Sequence, residues 1–409
     1  MYSAISLFTG AGGLDYGFES AGFRTAVSVE MDDKCVETLR ANRSWPVIPG
    51  PIGELGSEEL LRRAGVGAGE VDVLIGGPPC QPFSKSGFWA TGEAKRLNDP
   101  RADTLREFFR VLRDTRPRAF LLENVEGLGF HGKNEAITLI SAELTSINRS
   151  KDTDYRPELA VLNAADYGVP QLRRRLFMVG SRDGRLFRFP FPTHAIEDLL
   201  DGRQRYRTAW DALYTFNTVN DPQLNAKGKW AALLPSVPEG QNYLWHTDRG
   251  GGEPLFGWRR RYWSFLLKLS KTEPAWTLQA QPGPATGPFH WKNRQLGIRE
   301  MARLQTFPDD IQIKGSHADA RRQLGNAVPS LLAEVLAREI AQQLLGSPSY
   351  TSPAKLAIPP ARTPPPPPEP VVPVPDKYLM LRGDHEAHPG TGKGYRAMTR
   401  VIDGVTPLP

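Results

Sequence analysis

Three features are scarce in this 409-residue chain, and each scarcity excludes a class of protein. Only Cys35 and Cys80 are present, so neither a disulfide framework nor a zinc site built on CxxC pairs is available, and we expect no metal. No window approaches about 18 consecutive apolar residues, so no helical membrane span is expected. No basic stretch precedes a long apolar run at the start, so we expect no secretory signal and a cytoplasmic location.

The remaining composition is that of an ordinary globular protein. Hydrophobic residues make up 40% and charged residues 23%, which is enough apolar material for a large core and more than one domain. Lysine and arginine number 51 against 45 acidic residues, a formal net charge of +6. This excess favours a polyanionic partner without establishing one.

The order of predicted elements indicates an α/β fold. Short β-type runs alternate with helix-like stretches, which is typical of βαβ units and a mostly parallel sheet covered on both faces. Ligands in such sheets bind at the carboxyl ends of the strands. The predicted strands are residues 4–8, 26–29, 71–75, 119–122, 159–162 and 176–179, and the predicted helices are residues 13–21, 32–41, 102–114, 135–144, 298–305 and 330–344.

Changes in composition divide the chain into four predicted segments. Residues 1–180 carry the alternating pattern, whereas residues 181–293 are rich in Gly and Pro and hold seven of the nine tryptophans, which predicts a smaller, loop-rich domain. Residues 294–345 return to helical periodicity and to the first domain. Residues 346–409 begin with a proline-rich stretch and are predicted to be a disordered or polyproline tail.

The first motif with chemical meaning is Phe8-Thr9-Gly10-Ala11-Gly12-Gly13-Leu14, between the first strand and the first helix. Glycines there allow a tight turn close to a ligand, at a helix N-terminus that offers free N–H groups. The motif is not a dinucleotide fingerprint, because Asp15 occupies the third glycine position. Glu30, at the end of the second strand, is placed to bind a ribose diol. Alone, this pair fits an ordinary glycine turn beside an exposed acid equally well.

The second motif, Gly76-Gly77-Pro78-Pro79-Cys80-Gln81-Pro82-Phe83-Ser84, is more specific. Prolines on both sides of Cys80 exclude a helix and hold the thiol on a stiff loop after the strand at 71–75. A thiol is intrinsically very nucleophilic once ionised, which predicts a catalytic nucleophile. The alternative is a buried, inert cysteine, and this is how we interpret Cys35.

Two further motifs place charges at strand ends. The apolar strand at 119–122 runs into Glu123, whose pKa is expected to rise if the carboxyl is partly desolvated. Arg173 and Arg175 share one face of an extended segment and Arg174 takes the other. Guanidinium groups suit carbonyl oxygens, carboxylates and phosphates. Solvated strand-end charges remain the simpler alternative for both motifs.

Taken in order, the four motifs resemble those of the C5-cytosine DNA methyltransferase family: Phe-x-Gly-x-Gly-Gly, Pro-Cys-Gln, Glu-Asn-Val and Gln-x-Arg-x-Arg. Residues 299–308 (REMARLQTFP) resemble the ninth motif of that family, and residues 323–329 (QLGNAVP) resemble the tenth. The resemblance covers residues 3–345 apart from the variable window 181–293.

This resemblance implies an S-adenosylmethionine-dependent, Rossmann-like fold with a separate target-recognition domain at 181–293. Glu30 would bind the cofactor's ribose hydroxyls and Met31 would pack on its adenine. Where the family commonly has Asp near the adenine amino group, the nearest acid here is Glu54. The other residues expected around the cofactor are Phe8, Gly10, Gly12, Gly13, Leu14, Pro79, Leu105, Asn326 and Val328.

The resemblance also implies the chemistry. Cys80 would attack C6 of a cytosine flipped out of duplex DNA, and Glu123 would bind N3 and the exocyclic amine. Arg175 would hold O2, and Arg173 would help to fix the base and Glu123. On the loop after Cys80, the residues expected to contact the DNA or to close over the site are Gln81, Ser84 and Arg101. The implied protein is a monomer, accompanied by a cognate restriction endonuclease.

Three alternatives stay open on sequence grounds. A nucleotide-dependent oxidoreductase would use the glycine turn and Glu30, although Asp15 disfavours it. A catalytically silent DNA-binding module would not need Cys80 and Glu123. An RNA-modifying relative within the family is the third. The proline-rich tail either tethers a partner or is a dispensable extension, and the extension is the simpler expectation.

Overall fold

The computed structural model describes residues 1–79, 103–126, 134–197, 201–216, 221–257 and 263–382. The catalytic loop predicted from the sequence lies outside these ranges, namely Cys80, Gln81, Ser84 and Arg101. None of the helices in the described ranges has the length and apolar character that crossing a membrane requires.

A seven-stranded sheet forms the centre of the protein, in the order β3-β2-β1-β4-β5-β8-β6. Neighbours from β3 to β5 pair in parallel, whereas β8 is antiparallel to both β5 and β6. The predicted α/β class with a mostly parallel sheet is confirmed. The strands are β1 Tyr2–Leu7, β2 Phe23–Glu30, β3 Val47–Pro49, β4 Val73–Gly76, β5 Ala119–Val125, β6 Glu158–Asn163, β7 Gln171–Leu172 and β8 Arg174–Ser181.

Helices cover both faces of this sheet. The described helices are α1 Gly13–Ser20, α2 Asp33–Asn42, α3 Ser57–Ala64, α4 Asp103–Thr115, α5 Asn134–Lys151, α6 Ala209–Leu213, α7 Ile298–Leu304, α8 His317–Asn326, α9 Ser330–Leu344 and α10 Asp376–Leu379. Successive β5 side chains point to opposite faces. Leu121 therefore packs in the cluster that contains α1 and α9, and Phe120 and Leu122 pack in the cluster that contains α3, α4 and α5. Helix α9 therefore packs in the same core as α1 and the central strands, although it follows residues 181–293 in the chain.

The elements that were not predicted include β3, α3 and α8. Strand β3 is only three residues long and lies between prolines, and the helix α8 is largely polar and buries few apolar side chains. Helix α3, Ser57–Ala64, follows within a few residues of β3. Strand β3 and helix α8 carry little periodicity, so neighbouring structure rather than pattern decides them. Helix α3 does have an amphipathic pattern, with Leu60 and Ala64 buried, and the predicted elements omit it.

Residues 181–293 fold differently from the sheet domain. Their described part contains the two-residue strands β9 His194–Ala195, β10 Gln204–Arg205 and β11 Ala275–Trp276, one five-residue helix and several 3₁₀ turns. A separate apolar cluster stabilises the part around 224–289, and its buried members in this region are Leu233, Leu234, Val237, Tyr243, Leu255, Leu266 and Phe289. The loop-rich character is as predicted, while the proposed domain boundaries stay predictions.

Residues 347–375 of the tail have no helix or strand, as predicted for a proline-rich segment, and residues 347–382 pack against the rest of the protein. These residues run over the protein surface, and two of their own side chains, Ile358 and Tyr378, are buried against the rest of the protein. Prolines lack an N–H, so an extended proline-rich segment has few donors to satisfy and can use its carbonyl groups as acceptors for neighbouring side chains. Composition shows the lack of regular structure but not these partners. Residues 383–409 lie outside the described residues.

Candidate active site

The carboxyl ends of four parallel strands bring the sequence motifs to one edge of the sheet. Strands β1, β2, β4 and β5 are neighbours in parallel register, so the segments that follow Leu7, Glu30, Gly76 and Val125 start from this edge. This is the edge at which α/β proteins bind ligands. The described parts of the first three motifs therefore meet where the sequence predicted.

A buried carboxylate with an arginine partner lies at the end of β5. Glu123 is only 8% exposed, and its Oε1 lies 2.9 Å from Nε of Arg175 on the antiparallel strand β8. Burial raises the pKa of Glu123, and the charges of Arg175 and Arg173 oppose that rise. A carboxyl group in this setting can form strong, directed hydrogen bonds with a bound base.

Arg173 is the most deeply buried charge of this site, at 1% exposure. Its guanidinium donates to the carbonyl oxygens of Gly325 at 2.8 Å and Leu278 at 3.4 Å, and burial lowers its pKa. Arg173 thus joins the fourth motif to helix α8 and to the end of the 181–293 region. Arg174, by contrast, is exposed and pairs with Glu126 at 2.9 Å, as strand alternation predicts.

The backbone that leads to Cys80 runs directly past Glu123. A Cβ at Gly77 would lie 2.9 Å from Oε2 of Glu123, so any larger residue there would displace the Glu123 carboxylate. Nδ2 of Asn124 donates to the carbonyl oxygen of Pro78 at 3.2 Å, which fixes the start of the loop to β5. Cys80 itself is outside the described residues. The other cysteine, Cys35, is buried, and burial raises the pKa of its thiol, so it stays protonated.

A second acid holds the glycine turn after β1. Glu30 is largely buried; its Oε2 accepts from the Gly10 amide and its Oε1 from the Asp32 amide, both at 2.7 Å. Burial raises the pKa of Glu30, whereas these two backbone bonds lower it. Gly10 has φ 57° and a Cβ there would meet nothing within 4 Å, so the turn opens onto free space. Each carboxylate oxygen retains lone pairs for a further donor.

Helix α1 begins without a side-chain cap, and its first residue packs closely on a distant segment. Gly12 is its N-cap, with φ 88° and no side-chain cap. A Cβ at Gly13 would lie 2.3 Å from the carbonyl oxygen of Val328, so the predicted tenth motif rests on this glycine. Leu14 and Val328 are buried in one apolar cluster. The first and tenth motifs, which are over 300 residues apart, are therefore neighbours.

The remaining predicted cofactor residues differ in exposure. Met31 is 67% exposed next to Glu30, and Leu105 is buried on α4 in the cluster against which Phe8 packs. Pro79, at the end of the described loop segment, and Asn326, at the end of α8, are both exposed. Glu54 is exposed in the 3₁₀ turn Ile52–Glu54, and the hydrogen bonds that join Gly10 to Glu30 do not extend to it.

Sequence reasoning missed two polar contacts beneath the site. Asp15 is fully buried and accepts from Ser6 Oγ at 3.0 Å and Thr25 Oγ1 at 3.2 Å, and burial raises its pKa to about 7. Asp32 caps helix α2 and forms an ion pair with Arg322 of α8. The position of Asp32 just before a helix is a recognisable N-cap signal. No sequence pattern predicts that its distant partner is Arg322.

Together, the sheet and the site define the class of protein by its fold. A sheet with one antiparallel strand inserted beside β5, a glycine turn held by an acid after β2, and a buried Glu–Arg pair at the same edge match the methyltransferase fold that the motifs imply. Comparison with known proteins then gives the family. The sequence model of C-5 cytosine-specific DNA methylases matches residues 2–342, and the chain belongs to this family.

Individual relatives agree with that assignment. The chain is 42% identical over 368 residues to the type II methyltransferase M.SacI of Streptomyces achromogenes, covering 83% of this chain and 93% of the relative. It is 34% identical over 353 residues to the type II methyltransferase M1.HphI of Haemophilus parahaemolyticus, covering 82% and 86% of the two chains. The protein is thus a DNA (cytosine-5)-methyltransferase, as the sequence predicted.

Solved structures show the same fold at low sequence identity. The Entamoeba histolytica methyltransferase EhMeth matches with a TM-score of 0.56 and 15% identity over 84% of this chain and 99% of its own. A variant of Spodoptera frugiperda DNMT2 matches with a TM-score of 0.56 and 16% identity over 83% and 99%. At this identity, the likeness concerns the fold alone.

Proposed function

We propose that this enzyme transfers a methyl group from S-adenosylmethionine to C5 of a cytosine flipped out of a specific duplex sequence, as the modification enzyme of a bacterial restriction–modification system. One observation carries the proposal. The buried Glu123–Arg175 pair lies against Gly77, three residues before the predicted nucleophile Cys80. Base-binding and base-attacking groups are thereby expected in one place.

The residues at the β1 and β2 ends fit the proposed cofactor. The Glu30 carboxylate has acceptor capacity left for ribose hydroxyls, the uncapped start of α1 offers N–H groups, and the turn at Gly10 opens onto free space. Exposed Met31 offers an apolar surface for an adenine ring. When bound, S-adenosylmethionine supplies an electrophilic methyl group.

The residues of the chain would then activate the base. C5 of cytosine is a poor nucleophile, and attack of the Cys80 thiolate on C6 turns C5 into an enamine carbon, which is an instance of covalent catalysis. Once C5 is methylated, loss of its proton and expulsion of the Cys80 thiolate restore the aromatic ring. The product is 5-methylcytosine.

Glu123 and the two arginines have separate proposed roles. Glu123 holds N3 and the exocyclic amine and stabilises the charge that develops during attack. Arg175, already in contact with Glu123, holds O2. Arg173 is a positioning residue in this scheme: Nη1 and Nη2 donate to the carbonyl groups of Leu278 and Gly325, while its buried Nε has no hydrogen-bond partner among the described residues.

The cytosine must leave the stack before any of these groups reach it, at a cost of about a few kcal/mol. We propose that Gln81 and Ser84 fill the vacancy or contact its backbone, and that Arg101 helps to close the loop. Residues 181–293 would read the sequence through base-edge and phosphate contacts. The enzyme would act as a monomer, and its DNA substrate would be the one that a cognate endonuclease cuts.

Methyl transfer to defined substrates tests the proposal. The protein is incubated with labelled S-adenosylmethionine and either mixed-sequence duplex DNA or tRNA, and bisulfite sequencing of DNA from expressing cells gives the target sequence. We expect label at cytosine C5 of DNA in one sequence context. Preferential labelling of tRNA would favour the RNA-modifying alternative, and no label at C5 in any context would refute the proposal.

A trapping experiment tests the nucleophile separately. A duplex with 5-fluorocytosine at the target position blocks loss of the C5 substituent, so the covalent adduct should persist when the methyl donor is present. We expect peptide mapping to place the cross-link at Cys80. A cross-link at Cys35, or none at all, would contradict the assignment.

A further inference from the structure

The proline-rich segment 347–382, the strap, begins after α9, close to the start of β1. It follows α9, whose C-terminal neighbour Leu345 accepts from the hydroxyl of Tyr2 at the start of β1. The strap then runs back along α9. There the buried Glu334 accepts from the amides of Lys355 at 2.7 Å and Leu356 at 2.8 Å. Satisfying two backbone donors with one buried carboxylate is a specific anchor.

A second anchor lies on helix α6, inside the 181–293 region. The Ala361 amide donates to Oδ1 of Asp211 at 2.7 Å, and Nε1 of Trp210 donates to the carbonyl oxygen of Thr363 at 2.8 Å. Ile358 is buried in the cluster in which Trp210 of this region packs with Tyr16 and Leu304 of the sheet domain. Polar contacts therefore tie the strap to this region, and the apolar contact lies where the region packs on the sheet domain.

The third anchor covers a buried ion pair. Lys271, 2% exposed at its side chain, pairs with Glu239 and also donates to the carbonyl oxygen of Pro367 at 3.1 Å. The Glu369 amide donates to Glu239 at 2.8 Å. Charges removed from water need such additional partners, and the strap supplies one to each member of the pair.

The last anchor enters the apolar cluster of the region. The Tyr378 ring stacks on Trp230 with centroids 5.6 Å apart, and its hydroxyl donates to the carbonyl oxygen of Lys229 at 2.7 Å. Tyr378 is buried together with Leu234 and Phe289. A dispensable extension would not be expected to contribute a core residue to another part of the molecule.

We propose that the strap is a positioning element that fixes the 181–293 region relative to the catalytic edge, and thereby sets DNA affinity and sequence discrimination. This inference rests on the proposed reading of DNA by that region. The region is otherwise an insertion, joined to the sheet domain by its two chain ends and by packing. A third connection, stiffened by prolines whose φ is already restricted, limits rotation about those two ends at small entropic cost.

The test uses full-length protein with substitutions at two anchors. The double variant Ile358→Ala/Tyr378→Ala removes the apolar anchors, and Ile358→Val/Tyr378→Phe is the matched control that keeps them. With duplex DNA carrying the sequence found by bisulfite mapping, we expect KM for DNA to rise on the order of tenfold in the alanine variant while kcat stays within about twofold. Methylation of near-cognate sites should rise relative to the cognate site.

Hydrogen exchange of the free protein gives a readout that does not depend on activity. In the alanine variant, amides around 230–246 should exchange faster while those of β1 and β5 are unchanged. Unchanged KM, discrimination and exchange would overturn the proposal, and so would equal loss of protection in the sheet, since the strap would then hold the whole fold. If wild-type protein methylates no DNA, the proposed function fails, and the exchange result still decides whether the strap positions the region.

Discussion

Two regions of this enzyme are held in place by different interactions: the catalytic edge, formed by the carboxyl ends of β1, β2, β4 and β5, and the 181–293 region. At the edge, side chains follow directly from strand ends, and hydrogen bonds such as those from Gly10 and Asp32 to Glu30 join segments that leave neighbouring parallel strands. In the 181–293 region, strands are two residues long, and aromatic packing around Trp230 and Phe265 replaces backbone ladders. A residue from the strap, Tyr378, is also buried in that cluster.

The difference fits the two proposed tasks, chemistry at the edge and sequence recognition by the 181–293 region. Chemistry on cytosine requires groups held within narrow limits, and regular strands provide this rigidity. Recognition of a particular sequence requires a surface that can change between relatives, which loops tolerate. Substitutions at the edge should therefore alter turnover, whereas loss of the strap should alter affinity.

The largest effect is expected from Cys80→Ser. Because a hydroxyl is a far weaker nucleophile than a thiolate, turnover should fall on the order of 10⁴-fold or more. DNA binding, measured by filter retention or anisotropy, should persist, since it depends on other residues. Cys35→Ser, which removes the buried thiol, is the control and should retain turnover. Unchanged turnover in the Cys80 variant would show that the nucleophile is a different residue.

Glu123→Gln should follow, with kcat/KM lowered about 10²–10³-fold, because the amide cannot stabilise developing charge and leaves Arg175 without its counterion. Glu126→Gln is the matched control. Glu126 pairs with exposed Arg174, and exposed pairs contribute little, so its activity should stay within about twofold. Equal losses in both variants would mean that charge at the end of β5, rather than the buried position, matters.

The substitution Asp15→Asn tests how the buried Asp15 carboxyl changes the free energy of unfolding with pH. The folded-state pKa is about 7, above the ordinary value of 3.8, so the folded protein binds a proton more tightly than the unfolded chain. This stabilisation is complete below about pH 4 and is lost as pH rises through 7. The variant should not lose this stability. Its free energy of unfolding relative to wild type should therefore be more favourable at pH 8 than at low pH, by about a few kcal/mol. Urea unfolding at pH 5 and pH 8 measures it, and parallel pH dependence in both proteins would contradict it.

The smallest effect is expected from glycine substitutions in the turn after β1. Gly13→Ala places a Cβ 2.3 Å from the Val328 carbonyl oxygen, and this backbone contact should cost about 1–3 kcal/mol of unfolding free energy and weaken cofactor binding. Gly10→Ala meets no neighbour but requires positive φ, so its cost should be nearer 1 kcal/mol. Chemical denaturation of both variants checks the order, and the reverse order would mean that backbone strain outweighs the clash.

Much of the edge was predictable because local pattern and topology are tightly linked there. Short, continuously apolar runs identified β5 and β8, and parallel strands necessarily align their carboxyl ends. The strap was not predictable, since prolines indicate an extended chain but carry no sign of what the chain lies on. The same limit applies to Asp32 and Arg322, which are 290 residues apart in sequence and yet form an ion pair.

By itself, the sequence determined the α/β class, the strand ends that carry Glu30 and Glu123, and the family to which the enzyme belongs, because short-range periodicity and ordered motifs encode these. Only the tertiary structure decided that Gly13 rests on Val328, that Arg173 joins three segments, and that residues 347–382 pack as a strap. Such contacts depend on distances between residues far apart in the chain, which are fixed only when the sheet, its helices and the inserted region pack together.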